Sequence, residues 1–221
     1  MSIWIKICGN TSLADALLAA DAGADAVGFV FARSPRRVTA EQVAAITPHL
    51  PTNVEKIGVF VDAALDEIVD TVKFCGLTGV QLHFNAAAGL PAKIHVRLGP
   101  EMRILRVVHF STETKAQCTA QIAKYDQDPN VDAVLIDSRI ATTVGGTGVA
   151  FDWAATRKAI FLSAAAHRRV VAGGLTPENV AEAVATLRPW GVDVVSGVEA
   201  AQGRKDPDKV RGFVDRAKAE S

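Results

Sequence analysis

The chain has 221 residues, and its 24 Lys and Arg balance 24 Asp and Glu to a formal net charge of zero. That length suits one sizeable core, and the even charge gives no electrostatic reason to expect nucleic acid or an anionic membrane as partner. The three cysteines, Cys8, Cys75 and Cys118, are odd in number and widely spaced, which argues against a disulfide framework and offers no CxxC pair for zinc.

The N-terminus, MSIWIKICGN, has no charged segment leading into an apolar run and a small-residue cleavage site. A reducing, cytoplasmic setting is therefore expected. Ile3–Cys8 is the first strand-like run. Thr11 stands where it can cap a helix carrying Leu13, Ala16, Leu17 and Ala20. Ala26–Phe31 is the second run, and Thr39 with Gln42 gives a capping box before Val43 and Ile46. Lys56–Val61 follows, then Asp62 as a cap for a helix with Leu65, Ile68 and Val72. After Leu77–Leu82 the pattern weakens. Glycine and proline interrupt residues 85–99, and Lys93–Leu98 reads as well as a strand. Arg103–Val108, Ala133–Asp137, Arg169–Ala172 and Val192–Ser196 complete eight strand-like runs. Thr176-Pro177-Glu178 and Asp206-Pro207 announce the last two helices, each with a cap before an early proline.

Most of these runs are continuously apolar rather than alternating, as expected of parallel strands covered on both faces. Eight βα units with no composition break predict an α/β fold: one (β/α)₈ TIM barrel spanning residues 1–221. A doubly wound open sheet is the runner-up. It lacks its glycine fingerprint, because Gly9-Asn10-Thr11 follows the first run.

Active sites of such barrels sit at the C-terminal strand ends. Those ends carry Cys8, His83, Asp137, and glycine loops at Gly145-Gly146, Gly173-Gly174 and Ser196-Gly197; Arg106 lies on the fifth run. A loop after the second run carries Arg36 and Arg37. Cys8 and Asp137 could be an acid–base pair, or a buried small hydrophobe and a loop cap. Glycines ahead of a helix can bind phosphate through backbone N–H groups, and late barrel loops often do. Arg36 and Arg37 are candidate anion binders. His83 could be catalytic or structural. Cys75 and Cys118 fall in predicted helices as buried apolar residues. No metal-ligand spacing is present.

Taken together the motifs resemble the phosphoribosylanthranilate isomerase family of tryptophan biosynthesis. They are Lys6-Ile7-Cys8-Gly9-Asn10-Thr11, Gly23 through Phe31, Ser34-Pro35-Arg36, Gly58-Val59-Phe60-Val61 and Val80-Gln81-Leu82-His83. They continue with Leu135-Ile136-Asp137-Ser138, Gly145-Gly146-Thr147-Gly148 with Phe151-Asp152-Trp153, Gly173 through Val180, and Val194 through Glu199. The resemblance implies an Amadori rearrangement of N-(5'-phosphoribosyl)anthranilate to an aminoketose, with Asp137 as general acid and Cys8 as general base. It implies Arg36 at the anthranilate end, with His83, Gly145 and Gly146 also binding substrate. It places the phosphate at Gly173, Gly174, Ser196 and Gly197.

No cofactor or metal is expected, and the partner is a small phosphorylated substrate rather than nucleic acid or membrane. The assembly is expected to be a monomer or homodimer. The sequence departs from the family pattern at Arg37, Phe84, the segment from Asn85 to Met102, and Val195. The competing readings are the related histidine-pathway phosphosugar isomerase and a non-catalytic phosphosugar-binding barrel. The former is expected to carry aspartate where this chain has Cys8.

Overall fold

In a computed structural model describing residues 2–83, 87, 89–110, 115–137 and 168–220, eight parallel strands close into a barrel in sequential order. They are β1 (Trp4–Ile7), β2 (Ala26–Val30), β3 (Glu55–Val61), β4 (Gly79–His83), β5 (Arg103–His109), β6 (Ala133–Asp137), β7 (Arg168–Ala172) and β8 (Gly191–Val194). Each expected strand is present, displaced by one or two residues at some ends. The described helices are α1 (Leu13–Asp21), α2 (Ala40–Ile46), α3 (Leu65–Cys75), α4 (Leu90–Leu98), α5 (Lys115–Asp126), α6 (Val180–Leu187) and α7 (Pro207–Ala219). A short hairpin, β9 (Glu199–Ala201) and β10 (Arg204–Lys205), stands between β8 and α7. Among the described residues, no helix is long and apolar enough to cross a membrane.

Side chains alternate faces along a strand. Trp4, Ala26, Ile57, Leu105, Leu135 and Val170 turn inward and form one apolar cluster inside the barrel. Their neighbours Ile5, Ile7, Val27 and Phe29 turn outward and pack with Ala16, Ile68, Val184 and Phe213 of the helices. The N-terminal end is closed by Trp4 stacked on Trp190, with ring centroids 5.0 Å apart. The Arg103 and Arg168 guanidiniums lie over the Trp190 ring, and Arg103 pairs with Glu55 at 2.6 Å. This aromatic and charged cluster closes the end opposite the C-terminal strand ends.

Several local expectations are corrected. The N-cap of α1 is Ser12, whose hydroxyl accepts from the Asp15 N–H, while Thr11 Oγ1 donates to the Gly203 carbonyl at 2.6 Å. Ala64, not Asp62, precedes α3, and Asp62 takes a left-handed conformation. Residues Lys93–Leu98 are helical, within α4. Gly89 and Gly99 lie just outside that helix, and Pro91 sits in its first turn, where a missing N–H is harmless. Thr176 caps a turn rather than the regular helix. Its hydroxyl accepts from the Glu178 N–H, and α6 begins only at Val180. The Thr39–Gln42 capping box and the Asp206 cap before Pro207 form as expected. Cys75 and Cys118 are buried in α3 and α5.

Candidate active site

Cys8 follows β1 directly and shares the inward parity of Trp4 and Lys6. Its N–H donates to the Val194 carbonyl at 2.8 Å, which ties it to the end of β8. Gly9 turns the chain with φ +72°, a conformation that glycine adopts without strain. Fully buried Asn10 then clamps the turn onto β2. Its Nδ2 donates to the carbonyls of Ile7 and Gly28, and its own N–H also reaches the Gly28 carbonyl. Gly28 leaves the space that Cys8 occupies: a Cβ there would stand 2.5 Å from the Cys8 sulfur. Burial pushes the Cys8 thiol up from its ordinary value, against a smaller downward pull from Lys6.

A line of polar side chains crosses the barrel interior at this end. Lys6, fully buried, donates to Gln81 Oε1 at 2.8 Å and Asp193 Oδ1 at 3.0 Å. Gln81 Nε2 lies 3.0 Å from His83 Nε2. The His83 and His109 rings are 5.5 Å apart, and His109 Nδ1 lies 3.5 Å from Asp137 Oδ2. The chain folds β1, β4, β5, β6 and β8 so that these residues share one end of the barrel. Cys8, His83 and Asp137 are thereby placed at the same C-terminal face. Arg106 is not. It has the opposite parity and turns outward, where Nη2 donates to the Tyr125 hydroxyl at 2.7 Å under α5.

Arg36, on the loop after β2, is half-buried over the same end. Its Nε and Nη2 donate to the two oxygens of Glu199, both at 2.6 Å. Burial works to raise the Glu199 carboxyl, but Arg36 and Lys205 outweigh it and hold it below the ordinary value. Lys205, on the β9–β10 hairpin, donates to the carbonyls of Cys8 and Val195 at 2.7 and 3.0 Å. This hairpin therefore fastens the cysteine turn to the end of β8. Arg37 is exposed and bridges to Val30 instead.

The glycine loops after β7 and β8 meet backbone to backbone. A Cβ on Gly197 would stand 1.9 Å from the Leu175 carbonyl oxygen, so no side chain fits between the loops. Gly173 and Gly174 have φ +90° and +68°. Ser196–Val198 forms a 3₁₀ turn immediately after Val195. Gly173, Gly174, Ser196 and Gly197 thus lie together at the mouth, where backbone N–H groups can serve an anion. The expected substrate contacts Gly145 and Gly146 lie outside the described residues, as do Phe84 and Asn85.

Lys6, Gln81, His109, Asp193, Lys205 and the pairing of Glu199 escaped the reading of the sequence as site residues. Parity was the available signal for Lys6, which lies two residues before Cys8 in an otherwise apolar run and so faces the same way. The partners across the barrel, in contrast, are set by strand order and register.

A family model for N-(5'-phosphoribosyl)anthranilate isomerase matches residues 5–216. The isomerase of that name from Trichlorobacter lovleyi is 43% identical over 217 residues, covering 98% of each chain. The crystal structure of phosphoribosyl anthranilate isomerase from Thermotoga maritima superposes with a TM-score of 0.82 at 35% identity, covering 98% of this chain and 99% of that one. A structure of such an isomerase in complex with reduced 1-(o-carboxyphenylamino)-1-deoxyribulose 5-phosphate superposes with a TM-score of 0.80 at 34% identity, with coverage of 98% and 99%. With the barrel and the site residues in place, these likenesses assign the chain to the N-(5'-phosphoribosyl)anthranilate isomerase family.

Proposed function

We propose that this chain converts N-(5'-phosphoribosyl)anthranilate to 1-(2-carboxyphenylamino)-1-deoxyribulose 5-phosphate, with Asp137 as general acid and Cys8 as general base. The observation that supports the assignment is that Cys8 and Asp137 share the C-terminal end of the barrel with the glycine loops that follow β7 and β8. Asp137, in its protonated form, gives its proton to the ribose ring oxygen as the C1–O bond breaks. The anilino nitrogen supplies the electron pair, leaving an open-chain iminium ion. That cation acidifies the C2 hydrogen, and the Cys8 thiolate removes it. The electrons of the C2–H bond form the C1–C2 double bond of an enolamine, neutralising the iminium nitrogen; the enolamine then takes a proton at C1 and gives up its C2 hydroxyl proton to become the ketone.

Arg36 meets the carboxylate of the anthranilate, and Gly173, Gly174, Ser196 and Gly197 hold the phosphate. Fixing both ends of the substrate places C1 and C2 between acid and base, so orientation contributes beside proton transfer. His83 helps to line the site beside Gln81 and His109.

The test is steady-state turnover of N-(5'-phosphoribosyl)anthranilate, followed by loss of its fluorescence, beside the histidine-pathway aminoaldose as a control. Turnover of the first alone supports the reading. Asp137→Asn is expected to lower kcat by about 10²-fold or more, the range for one positioned proton-transfer group. Wild-type turnover in that variant would remove Asp137 from the role.

A further inference from the structure

Lys6 is the most deeply buried charge in the described structure, and the mechanism above gives it no role. Its side chain is wholly enclosed and cannot touch a substrate. Inward parity stacks it directly beneath Cys8. The point where a Gly28 Cβ would stand lies 2.5 Å from the Cys8 sulfur and 3.0 Å from Lys6 Cε, so the two side chains lie side by side over that glycine. Two acceptors hold the ammonium in place, Gln81 Oε1 and Asp193 Oδ1. A buried lysine with no role could be replaced by an apolar side chain without the cost of desolvating its charge.

We infer that Lys6 is a positioning residue for the isomerisation: its ammonium, held by Asp193 and Gln81, stabilises the thiolate of Cys8 from beneath. The inference rests on Cys8 as the base. Burial works against the charge on Lys6, but Asp193 and then Cys8 outweigh it and hold the ammonium above its ordinary value. The same burial pushes the Cys8 thiol up, and Lys6 is the foremost force in the other direction. Other charges also face the thiol. Lys205 approaches from β10 and favours the thiolate, whereas Asp193 on β8 disfavours it. Arg36, on the β2 loop, is also coupled to Cys8. Asp137 on β6 acts on Asp193 and raises it. Among these, Lys6 is the cation whose side chain is packed alongside that of Cys8 beneath the mouth.

Thiolate formation can be read by its ultraviolet absorbance during pH titration, taking the difference between each variant and the same variant carrying Cys8→Ser. Lys6→Met is expected to move the Cys8 titration upward by about one pH unit or more, the usual effect of losing a near opposite charge. It also leaves Asp193 as an uncompensated buried charge, which endangers folding. The double variant Lys6→Met, Asp193→Asn removes both charges and provides the folded comparison. Its Cys8 titration should lie between the wild type and Lys6→Met, because the repulsion from Asp193 is lost with the attraction from Lys6.

The basic shift should reappear in the pH profile of kcat, with KM changed little, since Lys6 does not reach the substrate. A folded double variant whose Cys8 titrates as in the wild type overturns the inference. Because the absorbance does not depend on turnover, its failure is distinct from failure of Cys8 as the base, which the activity of Cys8→Ala decides.

Discussion

Arg36 and Glu199 form a two-pronged ion pair, with Nε and Nη2 of the arginine each 2.6 Å from a carboxylate oxygen. The residues lie on opposite sides of the sequence and meet only because the barrel closes. The pair fixes the plane of the guanidinium while leaving its other N–H bonds for an incoming carboxylate. Glu199→Gln should therefore raise KM about tenfold, equivalent to about 1.4 kcal/mol of binding, with kcat changed less. An unaltered KM would show that Arg36 needs no such brace.

The same carboxylate supports a prediction of stability against pH. Its value in the folded protein is depressed, chiefly because Arg36 and Lys205 outweigh its burial. A carboxylate of this kind stabilises the fold above its unfolded value, about 4.3 for glutamate, and the contribution is lost as pH falls through the folded value. The deficit of Glu199→Gln in denaturant melts should be full at pH 7 and shrink toward acid. A deficit that grows toward acid would contradict the charge assignment.

Gly28 provides a steric test of the cysteine turn. Gly28→Ala would place a methyl 2.5 Å from the Cys8 sulfur and 3.0 Å from its Cβ. Overpacking of this kind costs about 1–3 kcal/mol, and displacement of the base should lower kcat by about tenfold or more, since small misplacements of reacting groups are costly. Thermal melts and kinetics on one preparation separate the two effects. Unchanged kcat with lowered stability would mean that Cys8 can shift without harm.

The two glycine loops should respond differently to the same substitution. Gly197→Ala forces a methyl against the Leu175 backbone and pushes the loops apart. Gly174→Ala meets no atom within 4 Å, but its φ of +68° costs a side chain about 1 kcal/mol. Gly197→Ala should thus raise KM for the phosphorylated substrate strongly, and inhibition by inorganic phosphate should weaken with it. Gly174→Ala should mainly lower the melting temperature. Equal effects on KM would argue against the contact between the loops as the feature that shapes the phosphate site.

At the opposite end of the barrel the expectation reverses. Trp190→Ala removes the stack on Trp4 and the ring beneath Arg103 and Arg168. A stability loss of about 2 kcal/mol or more is expected from the lost burial and ring contacts, with kcat at the wild-type value. A large fall in kcat for the folded variant would show that the closed end governs the mouth.

The sequence was most informative where local patterns suffice. Continuous apolar runs marked all eight strands, and Thr39–Gln42 marked a capping box. Position at a strand end brought Cys8, His83 and Asp137 to one face. Arg106, on the fifth run, faces the other way, because parity within the strand, not nearness to its end, decides which side a residue faces. Segment 90–98 was ambiguous because glycines at its borders and Pro91 in its first turn mimic a broken pattern. The Lys6–Asp193 and Arg36–Glu199 pairs were illegible for a different reason. Each joins residues more than 160 positions apart, and only barrel closure and strand register bring them together.

The most direct measurement of the proposed chemistry is single-turnover conversion of N-(5'-phosphoribosyl)anthranilate by Cys8→Ala, on protein shown by thermal melting to be folded. The substrate should still bind, with affinity near that of the wild type, while its conversion falls by about 10²-fold or more. Conversion at the wild-type rate by the folded variant would contradict Cys8 as the base that takes the C2 proton.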